Sequence, residues 1–360
     1  MPARYVGNEA CRSCHADQFQ SYADTAHART SAWPTAQSIR GSFAPGADLL
    51  RTANPNLYFK MERNERGAVE TAVLRTSETQ VLTRTERIDF VVGSGRKGQT
   101  YLYWDGDRLC QLPVSYWTQG QAWVNSPGYV DGSANFDRPI ARRCLECHAT
   151  SFVSRAPPEN AYQPDSLAPG LACEKCHGPG GEHVARYESR TPPASPAEAA
   201  IVNPARLTRE RQLDVCALCH AGIGEPRTAP LSFVPGDVLA RHLVFPPEPP
   251  SAHLDVHASQ VQLLERSRCF QASGTMTCST CHDVHRVQRD PAAMSLHCMS
   301  CHQVASCGEF ARAGRAIGGR CVECHMPLEQ TEKILIEGRG NRMDPSIRNH
   351  RIAIYPGPKS

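Results

Sequence analysis

No apolar run in the sequence approaches the roughly 18 residues that a membrane-spanning helix needs. Aromatic residues are sparse, at 7%. A net excess of either charge is nearly absent too: 39 Lys and Arg against 36 Asp and Glu leave a formal net charge of +3. That excess is too small to imply nucleic-acid binding. The chain is not a disordered polyelectrolyte either, since 40% of it is hydrophobic and only 21% charged. The start, MPARYVGNEAC, has neither the basic nor the apolar region of a secretory leader. A length of 360 residues allows about two domains.

What the sequence has is cysteine. There are 17, beside 15 His, 28 Pro and 26 Gly. This lies below the density of small disulfide scaffolds, and an odd count would leave one thiol over in any all-disulfide framework. The Pro and Gly content points to much irregular backbone. Something other than a large aliphatic core must then hold it.

The cysteines fall into one repeated pattern, C-x-x-C-H. Its copies are Cys11-Cys14-His15, Cys144-Cys147-His148, Cys173-Cys176-His177, Cys216-Cys219-His220, Cys278-Cys281-His282, Cys298-Cys301-His302 and Cys321-Cys324-His325. Chance does not repeat this pattern seven times in 360 residues. It is the signature of c-type haem attachment. Each thiol adds across a haem vinyl group, and the adjacent His becomes the proximal iron ligand. A zinc half-site or redox dithiol also uses C-x-x-C, but neither requires the following His, which is present every time. The cofactor expectation is therefore seven covalent haems c.

The motifs are unevenly spaced, so the chain is not a repeat array. Three domains are expected: a haem-1 segment over 1–40, a haem-free β-rich insert over 41–143, and a six-haem domain with a C-terminal tail over 144–360. Within the insert, residues 56–63, 68–75, 79–92 and 99–116 carry partly alternating Val, Leu, Thr, Tyr and Phe. Asp105-Gly106 between apolar runs signals a hairpin. The aromatics Tyr101, Tyr103, Trp104, Tyr116 and Trp117 read as core packing. After residue 144, RAPPENAYQPDSLAPG and VFPPEPP read as linkers. SPAEAA carries a capping box at Ser195. A helix is expected from Thr208 into the fourth motif. The fold class expected is mainly α, with extensive loops wrapped round seven haems and a small antiparallel β-rich insert.

Seven irons need seven distal ligands if all are six-coordinate, and eight His lie outside the motifs. His27, His183, His285 and His350 are the strongest candidates. His285 follows His282 too closely to reach the far face of the same haem, so it would serve a neighbour. His242, His253, His257 and His297 form a weaker pool. Of the remaining cysteines, Cys269 and Cys307 could pair in an oxidising compartment, while Cys110 reads as a buried thiol.

The segments YVGNEACRSCHADQFQSYADTAHA, CEKCHGPGGEH, TMTCSTCHDVH and CVECHMP resemble the multihaem cytochromes c of the c-552/c-554 type, a group related to hydroxylamine oxidoreductase. The resemblance covers the first 30 residues and most of 144–325, and leaves the insert outside. It implies that His27 and His183 are distal ligands. It also implies periplasmic or extracellular electron transfer, since haem attachment occurs on that side of the membrane. The expected function is an electron carrier hopping charge between closely packed, mostly bis-His haems, with no catalytic residue assigned. The alternative is an oxidoreductase of small nitrogen or sulfur compounds with one five-coordinate haem. Expected partners are donor and acceptor redox proteins, with neither nucleic acid nor a transmembrane segment, and an oligomer through haem edges is conceivable. Seven ferric haems with ionised propionates would move the formal charge from +3 to about −4.

Overall fold

A computed structural model describes residues 4–155, 157–189, 200–246, 259–331, 336–338, 341–343 and 345–355. The Ser195 capping box, His253, His257 and the end of the VFPPEPP linker lie outside the described residues. The chain divides into two compact units. One comprises 1–25, 173–333 and 346–360; the other comprises 26–172 and 334–345. The β-rich unit thus reaches past 41–143 and takes in the second motif, while the other six motifs share one unit.

In the β-rich unit, alternation in the sequence becomes alternation in burial. Along Leu57–Asn64, Leu57, Phe59 and Met61 are buried while Tyr58, Lys60 and Glu62 are half-exposed. This strand lies in a four-stranded antiparallel meander formed with Leu49–Arg51, Gly67–Arg75 and Val81–Arg87. A second, eight-stranded sheet is built round Gly98–Asp105 and Arg108–Trp117. Its two long strands meet at the expected hairpin. Asp105 pairs with Arg108, and Gly106 takes φ of 66°, which favours glycine. Strand Arg108–Trp117 is buried along nearly its whole length, Cys110 included.

The aromatics that fill this core also satisfy their own polar atoms. Trp123 meets Tyr101, Tyr116 and Phe43 at 5.1–5.7 Å between centroids and donates its indole N–H to Ser42 O. The hydroxyls of Tyr103, Tyr129 and Tyr162 donate to Phe136 O, Gln111 O and Ile140 O. Tyr101, Tyr103 and Tyr116 are core residues as expected, whereas Trp104 and Trp117 stay partly exposed. Glu70 is an exception to the apolar rule. It is fully buried, accepts one hydrogen bond from Val114 N, and has Oε2 unpaired. Burial holds its carboxyl well above the usual range.

The haem-motif unit is built differently. Its described helices run from four residues at Glu174–His177 to twelve at Arg209–His220. The longest is the one expected from Thr208, whose hydroxyl caps it by accepting from Arg211 N. Between helices the chain runs in 3-10 turns and loops. The expectation of a mainly α fold is therefore overturned: among the described residues 30% are helical and 25% strand, in several antiparallel sheets. A C-x-x-C-H motif needs only one helical turn, so many motifs do not add up to much helix. The segment read as a linker after residue 155 also contains order. Ala161–Tyr162 is a buried strand paired with the large sheet. No described helix is long and apolar enough to cross a membrane.

Candidate haem-binding sites

Each motif folds into a single helical turn. The N–H of the His bonds to the carbonyl of the first Cys in motif 1 (2.9 Å), motif 3 (3.0 Å), motif 5 (2.9 Å) and motif 6 (2.9 Å). Motifs 2, 4 and 7 lie within helices Arg142–His148, Arg209–His220 and Cys321–His325. Positions i, i+3 and i+4 of a helical turn share a face. Both thiols and the imidazole of each motif therefore point the same way, as attachment to one porphyrin requires.

Three proximal candidates have a second imidazole opposite them. His15 faces His183 with ring centroids 6.4 Å apart and planes 20° apart. His177 faces His285 at 6.0 Å and 25°. His282 faces His350 at 6.1 Å and 30°. A metal–imidazole bond is about 2 Å long, so two imidazoles on opposite faces of one iron have centroids about 6 Å apart. The residues present thus fit a bis-His iron at motifs 1, 3 and 5. Several rings are also oriented by their other nitrogen. Nδ1 of His177 meets Val202 O at 2.9 Å, that of His325 meets Ala353 O at 2.8 Å, and that of His350 meets Arg348 O at 3.1 Å. Nε2 is left to face a metal. Burial lowers the pKa of His177 and His350, which favours the neutral, ligating form.

The segments that present these rings have local causes. Gly178 takes φ of 73°, turning the chain sharply after His177 and into helix Gly181–Glu188, which carries His183. Gly181 packs so closely on Arg4 that a Cβ there would lie 2.8 Å from Arg4 O. Glu174, buried between the two thiols of motif 3, is the residue that sequence reasoning missed. Its carboxylate accepts from the backbone N–H of Val6, Gly7 and Gly180 at 2.8–2.9 Å. Asn8 adds a bond to Cys173 N at 2.8 Å. Together they strap the N-terminal segment, and with it motif 1, onto motif 3. A Glu inside C-x-x-C-H looks like a solvent-facing spacer, so no sequence signal marked it.

The motif thiols also approach one another. The Cys11 thiol lies beside that of Cys173, Cys216 beside Cys278, and Cys298 beside Cys321, all of them free, which sets motif 1 against 3, 4 against 5, and 6 against 7.

In the β-rich unit, Nδ1 of His148 lies 2.9 Å from Thr30 Oγ1. His27, three residues before Thr30, sits in a turn rather than on the helix its surroundings suggest, since helix Ala16–Ala23 ends before it. Its carbonyl accepts from Leu171 N. The weaker histidines divide. His242 has Nδ1 3.1 Å from both Thr228 Oγ1 and Ser232 Oγ, and Nε2 3.4 Å from Asp237. Both of its ring nitrogens therefore face polar side chains rather than a motif. His297 is exposed in the turn that carries Cys298. Cys269 and Cys307 are free thiols, so the expected pairing is not formed.

Comparison with known proteins agrees with this chemistry. Residues 10–46 and 121–178 match the family described as cytochrome c554 and c-prime. No curated protein matches the chain. Among solved structures it is similar to the outer cell wall cytochrome OcwA, with a TM-score of 0.60 and 17% identity over 97% of this chain and 79% of that one. An undecahaem cytochrome from the S-layer of Carboxydothermus ferrireducens aligns with a TM-score of 0.42 and 16% identity, covering 94% of this chain and 54% of that one. The family match, on a chain with seven attachment motifs, supports a multihaem c-type cytochrome, and the likeness to OcwA is one of fold.

Proposed function

We propose that the protein is an extracellular electron-transfer cytochrome holding seven haems c, most of them bis-His. The observation that carries this reading is the set of three opposed imidazole pairs at 6.0–6.4 Å. In it, the fourteen motif thiols anchor the haems and the seven motif histidines are proximal ligands. His183, His285 and His350 are the distal ligands at motifs 1, 3 and 5, and His27 is that of motif 2. A bis-His iron exchanges electrons with little structural change, which suits a carrier. An extracellular location is supported by the cell-wall and S-layer cytochromes to which the chain is similar.

The ligand pairing also implies an order of transfer. His177 and His183, six residues apart, would hold different irons. So would His282 and His285, whose three-residue spacing spans at most about 10 Å. His350 lies three residues before Ala353, whose carbonyl orients His325. Motifs 1, 3, 5 and 7 are thus joined in series by short stretches of chain. The path runs in sequence order but leaves out motifs 2, 4 and 6.

Electron paramagnetic resonance of the oxidised protein tests this reading. Low-spin ferric signals should dominate, and whole-protein mass should show seven haems. A high-spin ferric signal that shifts on adding nitrite or hydroxylamine would replace the carrier reading with a catalytic one.

A further inference from the structure

The β-rich unit contains a cavity of about 350 Å³ within its own walls. Its size is that of a small-ligand site. Ile39, Ala68 and Ile88, each buried, give it apolar lining. Trp33, 44% exposed, and the half-buried Trp104 supply aromatic walls. Trp33 is held edge-on against Phe90 at 5.3 Å. Three arginines, Arg63, Arg66 and Arg87, also line it.

The charge there is unbalanced. Asp89 is the one acid among the lining residues, and both of its oxygens are engaged, one by Arg87 and the other by Trp104 N. Arg63 lies over the Phe43 ring at 4.4 Å. Among the described residues no carboxylate is ion-paired with Arg63 or Arg66. Two indoles lining a cavity beside apolar side chains favour a flat ring system, and two guanidinium groups with no carboxylate partner favour an acidic group.

The cavity also lies close to a haem motif of the same unit. Thr30 contacts Nδ1 of His148, and Ser31 donates to His148 O. Trp33 follows Thr30 by three residues, so the two are at most about 10 Å apart along the chain.

We propose that this cavity binds a planar aromatic anion, with its ring between Trp33 and Trp104 and its acidic group on Arg63 and Arg66. A redox-active member of that class would be a soluble electron-exchange partner for motif 2. That assignment of role rests on the electron-transfer reading, whereas the binding does not.

Isothermal titration calorimetry on the oxidised holoprotein, with anthraquinone-2,6-disulfonate as probe, tests the site. One probe should bind per chain, and inorganic sulfate, which lacks the ring, should bind at least tenfold more weakly. Arg66→Gln, on an exposed turn, should weaken the probe about tenfold, and the Arg63→Gln/Arg66→Gln double variant about a hundredfold. Arg75→Gln, in the same unit but outside the cavity, should change nothing. Circular dichroism checks that each variant keeps its strands. Absence of probe binding, equal affinity for sulfate, or an equal loss in Arg75→Gln would overturn the proposal. A failure here with low-spin signals intact would remove the site alone. A responsive high-spin signal with probe binding intact would remove the carrier reading alone.

Discussion

The two units of this chain are stabilised in contrasting ways. The β-rich unit has an apolar cluster of seventeen buried residues, aromatic at its centre and closed by paired strands. The haem-motif unit, with six of the seven motifs, shows clusters of only seven and two buried hydrophobic residues among those described. Its helices are short, and its internal order comes from histidine pairs and a buried carboxylate. The contrast teaches that a chain can delegate its core. Where porphyrins supply the apolar mass, the polypeptide need only hold ligands in register. Where they do not, it must build sheets.

The contrast breaks most severely if haem attachment is prevented. Apoprotein made without the attachment machinery should lose protease resistance over 173–331 while a β-rich fragment within 26–172 survives. Equal resistance of both regions would show that the haem-motif unit has a sufficient core of its own. Within the β-rich unit, Phe59→Ala removes a fully buried ring and should cost about 3–5 kcal/mol in denaturant unfolding, with the Soret spectrum unchanged. In the haem-motif unit, Glu174→Ala strips three backbone N–H groups of their acceptor. It should cost roughly 2–3 kcal/mol and loosen motif 1 from motif 3, visible as faster amide exchange at Val6 and Gly7.

The smallest effect is a pH dependence confined to the β-rich unit. Glu70 has a folded-state pKa raised above its ordinary 4.5. Its neutral form is the one the fold accommodates, so its contribution is fully present below about pH 4.5 and is lost as pH rises through the raised value. Glu70→Gln should flatten this slope in pH-dependent thermal melts. A slope identical in both proteins would assign the dependence to other groups.

Much of this was legible in the sequence because it is local. The strands over residues 57–117 follow from alternation, the 105–108 hairpin from Asp-Gly, and the motif turns from the i, i+3, i+4 spacing. His183 and His285 could be singled out by their positions beside motifs. What could not be read is non-local. Periodicity does not reveal that His285 faces His177 across more than 100 residues, or that Glu174 binds the N-terminal strap. The mainly α expectation failed because it counted motifs as helices. That the β-rich unit takes in the second motif was likewise not legible, because Ala161–Tyr162 lies in a Pro-rich stretch that reads as a linker.

The central claim is that histidines from one motif's surroundings cap the iron of another. Electron paramagnetic resonance of His285→Ala, with whole-protein mass measured on the same sample, tests it most directly. The account predicts seven haems still attached and one of them, at motif 3, converted from low-spin to high-spin. A variant whose haems all remain low-spin would contradict it.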